Sequence, residues 1–305
     1  MSTLQDGDPR HGDPVSCAAV ETIVVPRERD LGDGFVVQRV LPAAGRRMVG
    51  PFIFLDHIGP VTIAPGKGLD VRPHPHIGLA TVTYLYEGEI MHRDSLGSAL
   101  PIRPGELNWM TAGSGIAHSE RSDMQWRRHG GPMSGLQLWV ALPKAHEETA
   151  PAFDHYDSAQ LPVLSDKGVL ARVIAGDALG RRSPVKTLCD TVFVDFTLAA
   201  GASAPIDAAH EERALYIYSG TIEIDGDTFE GSRLIVLKPG AAITVKAVAP
   251  TRMALIGGET ADGPRHVWWN FVSSSQERIE QAKADWAAGR FARVPGETEF
   301  TPLPE

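Results

Sequence analysis

Cysteine is nearly missing: the 305 residues include only Cys17 and Cys189, far apart and in no metal-type spacing. That excludes a disulfide framework and points to a reducing compartment. Basic charge is also scarce, with 29 Lys and Arg against 38 Asp and Glu and a formal charge of -9. A protein that grips nucleic acid through its phosphates needs a basic patch. The doublets Arg127-Arg128 and Arg181-Arg182 are too short to supply one and read as solvated loop charges. No apolar run is long enough to span a bilayer, and the polar, acidic start MSTLQDGDPRHGDP has no apolar signal-peptide core. The expectation is a cytoplasmic protein with no membrane partner, no direct nucleic-acid partner and a flexible N-terminus over residues 1–20.

What is plentiful is punctuation. The 31 Gly and 23 Pro imply many turns and short strands, and 43% hydrophobic residues are enough to fill a large core. The length exceeds what one core usually supports, so two domains are expected. Runs rich in β-branched and aromatic residues read as strands: Glu21–Val25, Phe35–Leu41, Pro51–His57, Ala80–Tyr86, Leu107–Thr111, Ser134–Leu142, Val169–Ala175 and Val192–Leu198. Lys144–Leu164 is polar, carries proline and has no clear period, which marks it as an interdomain segment. Near the end, Ser274 and Glu277 have capping-box spacing, Ile279, Ala282 and Trp286 fall on one helical face, and Gly289 can close the element. Trp268 and Trp269 are expected to be packing anchors.

A phrase repeats. Tyr84-Leu85-Tyr86-Glu87-Gly88-Glu89-Ile90 followed by Arg103-Pro104-Gly105 is echoed by Tyr216-Ile217-Tyr218-Ser219-Gly220-Thr221-Ile222 followed by Lys238-Pro239-Gly240. Two copies of one β-barrel unit follow from this. The expected division is 21–143, an interdomain segment 144–164, and 165–305 with the terminal helix.

The chemistry lies in two dipeptide-spaced pairs, His74-Pro75-His76 and His118-Ser119-Glu120. Residues two apart on a strand share a face, so each pair can aim two ligand atoms at one point. Either pair alone is equally compatible with a surface turn or separately solvated side chains. Together, three imidazoles and a carboxylate suit iron, manganese, cobalt, nickel, copper or zinc, with room left for water or substrate. Pro73 and Pro75 flank His74 and place it on an edge strand or a stiffened loop. His57 reads as a core histidine. In the second copy, Ile206 and Ala208 stand where His74 and His76 stand in the first, and His210 with Glu211 and Glu212 reads as a solvated loop.

Gly68, five residues, His74-x-His76 and Gly88, with Pro104-Gly105 and Gly113-x-Gly115-x-x-His118 downstream, resembles the two-part cupin signature. More narrowly, Phe54-Leu55-Asp56, His74-Pro75-His76-x-Gly78, Trp109-Met110-Thr111-Ala112-Gly113-x-Gly115-Ile116-x-His118-x-Glu120 and Gly135–Trp139 resemble the pirin family across most of residues 50–142. The second half matches more loosely. The resemblance implies an all-β bicupin, two double-stranded β-helix (jelly-roll) barrels with a C-terminal helix, whose N-terminal barrel holds one divalent metal through His74, His76, His118 and Glu120. Iron(II) is the first expectation for that metal. Many relatives carry Glu soon after the HxH pair where this chain has Ala80 or Thr81, and the carboxylate role falls to Glu120. The implied activity is that of a quercetin 2,3-dioxygenase, in which O2 opens a flavonol-like aromatic substrate with loss of carbon monoxide and Glu120 serves as both ligand and catalytic proton acceptor. The alternative is a metal-containing regulatory protein that binds a protein partner in response to metal occupancy or redox state.

Overall fold

Strand-forming runs dominate the computed structural model, which describes residues 17–30 and 36–304. The first sixteen residues of the expected flexible N-terminus lie outside the described residues. The strands form two sets, each with one seven-stranded sheet and one four-stranded sheet. In the first set the large sheet runs Ala152–Tyr156, Leu107–Thr111, Leu79–Glu87, Gly131–Ala141, Phe52–Ile63, Val36–Leu41, Arg27–Asp30. The small sheet runs Asp70–His76, Ile116–Arg121, Ile90–Asp94, Ala99–Ile102. The second set repeats the plan. Its large sheet is ordered Val20–Val24, Arg233–Leu237, Glu212–Ser219, Thr251–Gly258, Thr191–Leu198, Val169–Ala175, Val163–Asp166, and its small sheet Ser203–Ile206, Ile243–Ala247, Thr221–Ile224, Asp227–Glu230. This is the double jelly-roll, all-β architecture expected from the sequence.

The repeat is visible in the backbone. Gly88 turns at φ +90° and Gly220 at φ +91°, both at the end of a Tyr-x-Tyr strand. A side chain at either place would meet strain and a neighbour, the Met133 sulfur in one and the Pro250 carbonyl in the other.

One compact unit joins the segment ending at Glu28 and Gln38–Phe54 to Leu161–Thr260, and the other joins Leu55–Gln160 to the chain from Ala261 onward. The first strand, expected at the head of the N-terminal barrel, is an edge strand of the second, where Ile23 pairs with Ile235 and Val24 with Leu234. The matching edge of the first barrel is taken by Ala152–Tyr156, from within the expected interdomain segment, paired to Leu107–Thr111. An open ladder edge accepts any strand that reaches it, so contiguity along the chain does not decide membership.

The terminal helix, Gln276–Ala287, buries Ile279 and Ala282 and packs Trp286 with Trp268, Trp269, Phe271 and Phe291, as its apolar stripe requires. Its cap is Ser275 rather than Ser274: the Ser275 hydroxyl accepts from the Arg278 amide at 3.3 Å. Ser274 is already held by Glu147, which accepts from its amide at 2.8 Å and its hydroxyl at 2.8 Å. Arg127 and Arg128 lie not in a loop but on a short helix, Met124–His129, where Arg127 donates to both carboxylate oxygens of Asp70 at 2.8 Å.

The two barrel interiors differ. In the second, Phe196, Ile206, Ile217, Ile222, Ile235 and Val245 belong to a continuous hydrocarbon core. His210 is buried rather than solvated, its Nδ1 facing Asp190 at 2.8 Å and its Nε2 facing the Asp177 carbonyl at 3.0 Å, which marks it as a packing histidine. The first barrel buries a cluster of histidines, His74, His76, His92 and His118.

Candidate metal centre

Asp70–His76 is the edge strand of its small sheet, as the flanking prolines require, and it pairs antiparallel with Ile116–Arg121. His118 lies directly across from His74, and Ile116 across from His76. The three imidazoles are buried, with one ring nitrogen from each lying within 4.8 Å of the others. His76 Nε2 and His118 Nε2 are 3.1 Å apart.

Backbone carbonyls set the ring orientations. The Arg72 carbonyl lies 2.8 Å from His74 Nδ1 and the Asn270 carbonyl 3.2 Å from His76 Nδ1. A carbonyl can only accept, so each Nδ1 carries the proton and each Nε2 keeps its lone pair. Burial lowers the His74 pKa to about 4, and burial followed by mutual repulsion holds His76 and His118 well below the usual value. All three are therefore neutral donors near pH 7. Neighbouring nitrogens on a metal with bonds of about 2.1 Å at right angles lie about 3 Å apart. The trio fits such an ion, and the buried His118 Nδ1 has no hydrogen-bond partner among the described residues.

The register of Glu120 differs from that of the trio. A strict ladder from the His118–His74 pair would set Glu120 opposite Arg72, but a bulge places it opposite Val71. Pro73, which has no N–H for the ladder, sits in the bulged stretch. The Glu120 carboxylate accepts from the Thr83 hydroxyl at 3.2 Å. Burial raises its pKa, against the pull of His92 and of that hydrogen bond. Ala80 and Thr81, the two positions expected to take the place of that Glu, are both buried in the strand and pair with Val140 and Trp139.

Two models of known families match the chain: Pirin over residues 34–140, and the Pirin C-terminal cupin domain over residues 193–292. The chain belongs to the pirin family. A pirin-like protein of Caulobacter vibrioides is 50% identical over 291 residues, covering 94% of this chain and 100% of that one. The pirin of Rattus norvegicus is 34% identical, covering 89% and 92%. A crystal structure of quercetin 2,3-dioxygenase from Acinetobacter baumannii superimposes with a TM-score of 0.87 at 36% identity, covering 94% of this chain and 95% of that one.

The pirin centre here includes residues that the sequence reading passed over. His92, on the strand beside Glu120, stacks on Phe153 at 4.3 Å and lies 5.3 Å from the His118 ring. Its Nε2 is 3.0 Å from Asp94, which is fully buried. Burial alone would raise Asp94, but hydrogen bonds from His92 and Ser98 bring it below its usual value. His92-x-Asp94 has the same two-residue spacing as the other pairs, and that signal could have found it. Trp139 sets its ring edge-on to His76 at 5.3 Å. A more exposed trio, Glu106, His155 and Asp157, reads as a surface polar cluster, with His155 Nε2 3.9 Å and 3.6 Å from the two carboxylates.

Proposed function

We propose that this pirin is a metal-dependent dioxygenase that opens a flavonol-like aromatic substrate with O2, the activity named for its A. baumannii structural relative. The observation that carries this reading is the convergence of three neutral imidazoles in a buried barrel pocket. His74, His76, His118 and Glu120 would hold the metal, iron(II) first among nickel, cobalt, copper, manganese and zinc. A bound divalent ion supplies a Lewis acid that raises the acidity of an enolic hydroxyl.

The chain's own groups do the rest. Glu120 accepts the substrate proton at the carboxylate oxygen that Thr83 does not hold, and its raised pKa keeps it a competent base. Trp139 and Phe153 give the pocket apolar walls that keep water from the reacting ring. A location in the reducing cytoplasm belongs to the same proposal, supported by the free Cys17 and Cys189. Among the described residues, no helix is long and apolar enough to cross a membrane.

The test is oxygen uptake with quercetin by wild type loaded in turn with iron, nickel, cobalt, copper or manganese, beside His76→Ala and Glu120→Ala. The expected result is uptake in at least one metal form of wild type, lost in His76→Ala and reduced about 100-fold or more in Glu120→Ala. No uptake in any form, or equal uptake in all three proteins, overturns the dioxygenase reading.

A further inference from the structure

The two ligand strands are short, one of them is a sheet edge with a bulge, and a strand pair alone holds its spacing weakly. Something outside the sheet grips both. Between the inward-facing His118 and Glu120, the fully buried Ser119 donates its hydroxyl to Glu297 Oε1 at 2.7 Å. The next outward residue, Arg121, gives its Nε to the same oxygen and a terminal nitrogen to Oε2, both at 2.9 Å.

Four residues on, Thr301 turns to the other strand. Its amide donates to the Pro73 carbonyl at 2.8 Å and its hydroxyl to the Arg72 carbonyl at 3.3 Å. That Arg72 oxygen is the acceptor that orients His74. Trp286 Nε1 in turn donates to the Thr301 carbonyl at 2.8 Å, anchoring the segment to the terminal helix. One stretch, Glu297–Thr301, thus holds the backs of both ligand pairs.

We propose that Glu297 and Thr301 form a positioning clasp that sets the distance between the His74–His76 strand and the His118–Glu120 strand, and so tunes how tightly the pocket keeps its metal. The proposal rests on the metal-centre reading above. Neither residue reaches the imidazoles, so they act through the strands and are positioning rather than catalytic residues. Groups that orient metal ligands typically carry about 10- to 100-fold in metal affinity.

The test uses the full chain and cobalt(II) as the probe, in wild type, Glu297→Ala, Glu297→Gln, Ser119→Ala and the Glu297→Ala/Ser119→Ala double variant. Cobalt affinity is measured by competition with a chelator, ligand geometry by the visible cobalt spectrum, and Tm in the metal-free form. The expected result for Glu297→Ala is about 10-fold weaker binding or more with an altered cobalt spectrum. Glu297→Gln, which can still accept from Ser119, should recover part of the loss. Ser119→Ala should weaken binding too, and the double variant should lose less than the sum of the singles. Wild-type affinity and spectrum in Glu297→Ala overturn the clasp while leaving the metal centre standing. A lower metal-free Tm with unchanged affinity reduces the segment to a structural strap and also overturns it. No cobalt binding by wild type overturns the metal reading itself, and the clasp with it.

Discussion

Protons compete first for three facing imidazoles. His74 and His57 are both held near pKa 4 in the folded protein by burial, against 6.5 for an ordinary histidine. Below pH 6.5 the unfolded chain takes up protons that the folded chain refuses, so stability falls as pH drops from 6.5 towards 4 and is flat above 6.5. Each residue contributes about 3 kcal/mol to that loss when it is complete. The urea midpoint of the metal-free protein should therefore fall steeply between pH 6.5 and 4, and a level midpoint would contradict the neutral, buried state of these rings. At this scale the clustering of His74, His76 and His118 was legible because strand alternation makes a two-residue spacing meaningful. The offset of Glu120 was not legible, since a bulge at Pro73 leaves no mark in a pattern of every second residue.

Among elements, the terminal helix and its approach are fixed by a buried charge. Glu147 is 2.9 Å from Arg265 Nε, with the two side chains 7% and 1% exposed. Glu147 also takes the Ser273 hydroxyl at 3.2 Å and the amide and hydroxyl of Ser274. Glu147→Ala removes one of the two carboxylates that face the buried Arg265 guanidinium, which keeps Asp262, and leaves the donors of Ser273 and Ser274 without their acceptor, and the expected cost is about 3 kcal/mol. Tm and urea midpoints against wild type check this, and Glu147→Gln should cost less. The helix itself was legible from its apolar stripe and from Gly289, which closes it at φ +68°. Its cap was misplaced by one residue because Ser274 and Ser275 are chemically alike, and only the tertiary partner Glu147 decides which of them faces the helix.

In the whole molecule, chemistry and packing are divided between two copies of one plan. Phe196 is fully buried in the hydrocarbon interior of the second barrel. Phe196→Ala should destabilise that barrel by about 3–5 kcal/mol, read as a lower Tm, while metal analysis still finds about one equivalent per chain. Metal lost in proportion would contradict the assignment of the centre to the first barrel. The double-barrel plan was legible because the Tyr-x-Tyr…Gly phrase occurs twice. The exchange of segments was not, because Val20–Val24 is apolar enough for either edge and nothing within five residues names its partner.

That exchange sets the order in which the protein can be finished during synthesis. Val20–Val24 leaves the ribosome early, yet its ladder partner Arg233–Leu237 is made late. The carbonyl of Asn270 and the carboxylate of Glu297, which hold the back of the histidine pocket, come later still. Neither unit closes until residues beyond 250 have been made, so a nascent chain stalled after the first barrel's own strands carries the three facing histidines without the groups that aim them.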